Sequence, residues 1–231
     1  MGSIVTWAKT SWRALVKAGL RRVRRTAVLG GVISAASNRL FIRRFIPDLQ
    51  HLHDLLSTSD LAGHYWMWGG LILGWAREGR VLAHDRDADF AVRVEDVGYL
   101  LDAVPTLAKG GFKPHRRYRN SDGQLTELTF RRHRTLFEFF VLDEVGDELR
   151  YYVYGWPPDN LVEVEARIPR QELVSFDFLG RTWLRHADFE RELEALYGDW
   201  RTPNEDWSYL ENDHAVVARR PWVYRDTSWS L

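Results

Sequence analysis

The stretch "WGGLILGWAREGRVLAHDRDADFAV", Trp68 to Val92, decides how the rest of the chain is read. It opens on the pair Gly69-Gly70 and closes on three acids at alternating positions, Asp85, Asp87 and Asp89. Between them "LILGWAREG" reads as a short helix. "ADFAVRV", 88–94, reads as a strand with an apolar face of Ala88, Phe90, Val92 and Val94. Residues two apart in a strand point the same way, so Asp87 and Asp89 project together, opposite Ala88 and Phe90. Asp85, just before the strand, stands close enough in sequence to join them.

Neighbouring carboxylates repel, and burial penalises each ionised form. Water or a cation makes such a group tolerable, and adjacent hard oxygens suit Mg²⁺ or Mn²⁺. Two such ions about 3.5–4 Å apart steady the attacking and leaving oxygens of a displaced phosphoryl group. The competing reading is an exposed strand face with ordinary surface acids, and D-x-D alone does not separate the two. The glycine pair favours the first. Missing side chains let a phosphate approach the backbone, and a helix N-terminus offers free N–H groups to an anion. A third carboxylate comes from "TLFEFFVLD", where Glu138 is a lone acid among Leu136, Phe137, Phe139, Phe140 and Val141. An acid in so apolar a strand needs a partner. Metal is one choice; Arg131, Arg132 and Arg134 are the other.

Outward from this stretch the pattern predicts a helix over Arg39 to Thr58, with Leu40, Phe45, Leu49, Leu52, Leu55 and Leu56 on one side. "HYWMW", 64–68, is a short strand, and "EDVGYLLDAVPTLAKGG" is a helix stopped by Gly110 and Gly111. β-type runs follow in "FKPHRRYR", "LTELTFRR", "TLFEFFVLD" and "LRYYVYGW". "LVSFDFLGRTWLR" makes two strands around Gly180, and "HADFERELEALYGD" is the last clear helix. Residues 199–231 are rich in Trp and Tyr without a strong period. The fold class is α+β, a mixed sheet with helices on one side.

The chain has 231 residues, 45% of them apolar, enough for one domain with a real core. There is no cysteine, which excludes disulfides, thiol catalysis and cysteine-held zinc or iron. The zero net charge hides an asymmetry. Residues 1–47 hold ten Lys and Arg and no acid, so residues 48–231 carry −10. Two parts follow: a basic N-terminal segment, 1–47, and a domain, 48–231. "RRVRR" followed by "TAVLGGVISAAS" resembles a signal peptide, but Gly30 and Gly31 interrupt the apolar part. The preferred reading is an amphipathic basic helix, with Trp7, Trp12, Leu15, Val16, Leu20 and Val23 between the cations. It suits the plane of a membrane interface or the flank of the domain, and the pattern leaves both open. A basic segment also suits nucleic acid, with steeply salt-dependent binding. No nucleic-acid module is recognisable, and no nucleic-acid partner is expected.

Taken together, these residues resemble the LicD/fukutin-like phosphotransferases, on the nucleotidyltransferase fold of DNA polymerase β-type enzymes. That family reads G-G-[ST]-L-L-G-x-x-R, about seven residues, then W-D-D-D-h-D, with h apolar. Gly69, Gly70, Leu73, Gly74, Arg77, Asp85, Asp87 and Asp89 fall on matching positions without a gap, and "LYGDWRTP", 196–203, resembles the family's Y-G-D-[YW]-x-x-P. Glu138 matches its later acidic strand, where Asp is commoner. The sequence departs at Leu71, where a hydroxyl is usual, at Arg86, the middle acid, and at His84, the Trp.

The resemblance implies transfer of a substituted phosphate from a CDP-linked donor to a hydroxyl of a glycan or lipid-linked sugar. Asp87, Asp89 and Glu138 would be catalytic and hold Mg²⁺ or Mn²⁺. Gly69, Gly70, Arg77 and Asp85 would bind substrate, Arg77 against the leaving nucleotide unless it pairs with Glu78 or Asp85. The alternative is a nucleotidyltransferase adding a nucleotide monophosphate to a small-molecule hydroxyl. A cytoplasmic location, peripheral at the inner membrane face through residues 1–47, completes the expectation.

Overall fold

The computed structural model describes residues 29–83, 85–155, 161–204, 206–210, 213–223 and 227–229, with backbone alone at 29–37 and 39–40. It divides into two units, Met1–Arg44 and Phe45–Leu231. Most of the basic segment, together with His84 and Tyr224, lies outside the described residues. The first helix, α1 (Leu29–Leu56), begins ten residues before the expected Arg39. Small residues such as Ala35 and Ala36 carry helix without an amphipathic signal to announce it.

After α1 come β1 (Tyr65–Met67), α2 (Gly69–Glu78), β2 (Asp87–Arg93), a 3₁₀ turn (Val94–Asp96) and α3 (Val97–Lys109). Then follow β3 (Lys113–Arg119), β4 (Leu125–Arg132), β5 (Thr135–Val145), β6 (Glu148–Tyr154) and β7 (Val162–Pro169). A hairpin, β8 (Leu173–Phe178) and β9 (Arg181–His186), leads to α4 (Phe189–Tyr197) and β10 (Val216–Pro221). Among the described residues no helix is long and apolar enough to cross a membrane.

The large sheet runs β1-β2-β5-β6-β7-β10, with β4 also against β5 and β3 against β4. β2 and β5 are parallel; the other pairs are antiparallel. A parallel pair needs a long crossover, supplied here by α3 and the β3–β4 hairpin. β5 serves two neighbourhoods. Leu136–Leu142 lie along β2, while Asp143–Val145 pair with β6. That central place explains its run of aromatics, because a strand covered on both faces need not alternate.

The fold is α+β with a largely sheet core, as expected, but the helices lie on both faces. On one face Phe90 stacks on Phe139 at 5.1 Å, and Phe137 meets Phe45 of α1 and Phe112 just after α3. On the other, Leu196 of α4 packs with Trp66, Trp68, Ala91 and Leu142. The sheet has two apolar faces, and each must be covered. For the same reason Ala91 is as buried as Phe90. Val94, expected on the strand's apolar face, instead sits in the 3₁₀ turn, 46% exposed. Strands β7 and β10 are further elements that the pattern reading passed over.

Candidate functional site

The register of β2 against β5 sets Asp89 level with Glu138. Level residues on paired strands share a face, so Asp89 and Glu138 project together, and Asp87 joins them two residues back. Adjacent strands lie about 4.8 Å apart, which places the two backbones at that spacing. The line continues outward. β4 sets Thr129 level with Glu138, and β3 sets Arg116 level with Thr129. The next line across the same face reads Ala91, Phe140, Glu127 and Tyr118. Thr129 Oγ1 donates to Glu127 Oε1 at 2.8 Å, so the buried Glu127 is held from its own strand.

A bulge aims the cation at the end of that line. Pro114 is level with Phe130 and Arg116 with Thr129, leaving His115 as the extra residue. One extra residue reverses the alternation that follows it. Arg116 and Tyr118 therefore turn to the acid face, and Arg117 turns away. Burial, then the charges of Arg131 and Arg116, push the His115 imidazole down to about 4.

At the other end of the line stands the N-terminus of α2. Gly69 adopts φ +55°, a left-handed conformation that favours glycine, and its Hα side faces Asp89. A Cβ there would lie 2.8 Å from Asp89 Oδ2. A Cβ on Gly70 would run into the Asp85 carboxylate. Gly70 N–H donates to Asp89 Oδ2 at 3.3 Å. The glycine pair thus makes room for two carboxylates, and the helix end already faces negative charge.

Burial pushes the Asp85 carboxyl well above its usual range, and the Asp87 charge adds to this. A hydrogen bond with Asp87 and the charge of Asp89 act in the same direction, while the Arg86 backbone N–H, 3.1 Å from Oδ1, opposes them. Burial and neighbouring charge thus both disfavour the ionised form of Asp85. Among the described residues no three acids or histidines form a closed cation cage. The donor set still fits Mg²⁺ or Mn²⁺ chemically: it is all carboxylate oxygen, and such ions keep waters and take phosphate oxygens to complete their shell.

The structure sets Asp87, Asp89 and Glu138 on one face of the sheet, with Asp89 and Asp85 against Gly69 and Gly70, but Arg77 lies apart. It is eight residues along α2 from Gly69, roughly 12 Å of helix. Its ion pair, at 3.6 Å, is with Glu78. Arg132, a competing partner for Glu138, is committed elsewhere, donating from Nε to Asp48 at 2.8 Å.

Residues 63–148 match the LicD/FKTN/FKRP nucleotidyltransferase domain. The match holds the glycine pair, all three acids of the run and Glu138, and ends where β6 begins. The chain is also 21% identical over 176 residues to the mouse protein named ribitol-5-phosphate transferase FKTN, covering 72% of this chain and 35% of that one. It spans about a third of the length of that curated relative.

Other residues on this side of the sheet were passed over by pattern reading. Tyr197, beyond the matched domain, packs against the apolar cluster that contains Trp68 and Ala91. Burial, then Asp89 and Asp85, push its phenol well above the ordinary range. Its place in "LYGDW" was the available signal. Glu127 and Thr129 alternate in "LTELTF" and were legible by period; the basic run "HRRYR", 115–119, was legible as a candidate anion-facing strand, but which of its arginines turns to the acid face was not, because nothing there marks the bulge. The tail aromatics serve packing: Trp222 stacks on Tyr154 at 4.3 Å, and Trp229 meets Phe130 at 5.4 Å.

Proposed function

We propose that the protein transfers a substituted phosphate, an alditol phosphate or phosphocholine, from a CDP-linked donor to a hydroxyl of a glycan or lipid-linked sugar. The reaction is metal-dependent and runs on a nucleotidyltransferase-type fold. One observation carries this reading. Asp87, Asp89 and Glu138 share a face of two parallel strands, directly beside the glycine N-terminus of α2. The mouse relative's name, a ribitol-5-phosphate transferase, puts the alditol phosphate first.

Asp87 and Asp89 would hold Mg²⁺ or Mn²⁺, which when bound would supply positive charge to offset that of the donor's diphosphate. The chain does the rest. Gly69 and Gly70 leave the backbone open to the phosphates. The acceptor oxygen bonds to the phosphorus of the transferred group, and the bond from that phosphorus to the bridging oxygen breaks. CMP leaves with the bridging oxygen. Glu138 takes the acceptor's proton, or would join Asp87 and Asp89 as a metal ligand. A membrane-associated acceptor would reward the basic segment 1–47, with the domain on the cytoplasmic side.

The test is product analysis with CDP-ribitol and CDP-choline in Mg²⁺ or Mn²⁺. Release of CMP, lost in Asp87→Asn, supports the reading. Release of pyrophosphate from a nucleoside triphosphate, with CDP-linked compounds inert, would replace it with nucleotidyl transfer.

A further inference from the structure

The acid face of the sheet changes sign from one side to the other. Two rows of level residues cross it. One reads Asp89, Glu138, Thr129 and Arg116; the next reads Asp87, Leu136, Arg131 and Lys113. Both begin on a carboxylate of β2 and end on a cation of β3. Alternation along β4 puts Arg131 on this face and Arg132 on the other, where Arg132 meets Asp48 of α1. Lys113 precedes the bulge and is level with Arg131; Arg116 follows the bulge and is turned to the same face by it. Other cations of the sheet are held by acids: Arg150 by Asp143, Arg167 by Glu165, Arg220 by Glu163. Lys113 and Arg131 are exposed, and among the described residues neither has a carboxylate at ion-pair distance. Like charges set directly opposite on paired strands destabilise the pair, so folding alone does not ask for this arrangement.

We propose that Lys113, Arg131 and Arg116 form an anion subsite for a phosphate carried by the acceptor, a phosphorylated sugar or alditol. The inference rests on the proposed reading of the acid site. Position assigns the subsite to the acceptor. The donor's diphosphate belongs at the other end of the rows, where Gly69 and Gly70 open the backbone beside Asp89 and Asp85. Glu138 stands between the two ends, two strands from Arg116, which is about 10 Å of backbone spacing. A sugar phosphate together with an arginine side chain spans that distance. An acceptor whose phosphate rests on the cations therefore presents a hydroxyl to Glu138 from the next sugar or alditol unit. A phosphate suits three clustered cations because it carries several oxygens that guanidinium groups take in pairs. A membrane surface suits them less, since the cations lie on a strand face that leads to the acids and Arg116 is half-buried.

The experiment is a ³¹P resonance titration of glycerol 3-phosphate with the full chain saturated by CDP and Mg²⁺, so that the donor end is already filled. CDP binding is measured first by calorimetry with and without the metal, and each variant is melted. Wild type is compared with the double variant Lys113→Gln with Arg131→Gln, with Arg116→Gln, and with Arg117→Gln. Arg117 is also exposed but level with Leu128, on the opposite face of β3, and serves as the charge control. Wild type should bind glycerol 3-phosphate, and the double variant should bind it about tenfold more weakly or worse, the usual loss when hydrogen bonds to a charged group go. Arg116→Gln should also weaken it, and Arg117→Gln should match wild type. The double variant should melt at or above wild type, because the level like charges are gone. Equal weakening by Arg117→Gln would mean bulk charge alone and overturn the proposal. Wild type that binds CDP with metal but ignores glycerol 3-phosphate would overturn it and leave the acid site standing. Capture of phosphatidylglycerol vesicles, lost in the double variant, without glycerol 3-phosphate binding would put the cations on a membrane and overturn it too. No metal-dependent CDP binding by wild type would remove the reading of the acid site and the acceptor role with it.

Discussion

Alanine at Gly69 and at Gly70 should behave differently, although the two positions are adjacent. At Gly69 two costs add. The backbone is left-handed, φ +55°, and an L-residue held there costs about 1–2 kcal/mol. The new Cβ also meets Asp89 Oδ2 at 2.8 Å, so the carboxylate must move and its bond from Gly70 N–H lengthens or breaks. A charge-assisted bond of this kind is worth about 1.5–3 kcal/mol at good geometry, and less at 3.3 Å. Alanine's lower unfolded-state entropy returns about 0.4–1 kcal/mol. The net is a destabilisation of about 1–3 kcal/mol. For a unit of this size each kcal/mol is about 2–4 °C of melting temperature. At Gly70 φ is not left-handed, and the group displaced is Asp85, a carboxyl that burial and its neighbours already penalise. Pushing Asp85 into water relieves that penalty, so it costs less than displacing Asp89. Urea titrations followed by tryptophan fluorescence measure both, with the midpoint shifting and the slope constant. Gly70→Ala less stable than Gly69→Ala, or Gly69→Ala melting with wild type, would refute this account of the turn.

Other outcomes follow from the same contacts. Tyr151→Phe leaves the buried Asp213 without its donor and should cost about 1–3 kcal/mol in a urea titration. Burial raises Asp213 above 3.8, so the folded state holds its proton more tightly than the unfolded chain does. Stability from this group is present below 3.8 and lost as pH rises through the raised value, and Asp213→Asn should flatten that slope. His115 has the opposite sign. Its imidazole is lowered from 6.5 to about 4, so its contribution is full above 6.5 and lost as pH falls toward 4. It is half-exposed, and after solvent screening the effect is about 1–2 kcal/mol. His115→Gln should reduce acid sensitivity by that amount, and an unchanged pH profile would count against the bulge geometry.

Much of the site was legible because it is local. The glycine pair, the alternating acids of β2 and the lone acid of β5 each carry their own pattern, and parallel pairing of two apolar strands brings the acids level. What was not legible depends on neighbours. β7 alternates Val164, Ala166 and Ile168 with Glu163, Glu165 and Arg167, a period that was present but outweighed by its charges. β10, "VVARRP", has an almost wholly exposed edge and exists through its pairing with β7. The helices cover both faces because β2 and β5 are apolar on both, a fact the expected alternation of β2 obscured. Tyr197 comes to the apolar cluster of Trp68 and Ala91 only through α4 packing across more than a hundred residues of chain.

The proposed reaction requires Asp89 and Glu138, level on parallel strands, to converge with Asp87 on a divalent ion. Electron paramagnetic resonance of Mn²⁺ titrated into the protein with CDP tests it most directly. Bound Mn²⁺ that is lost in Asp89→Asn and weakened in Glu138→Gln, with both variants folded, is the predicted result. The same Mn²⁺ binding in all three proteins would contradict it.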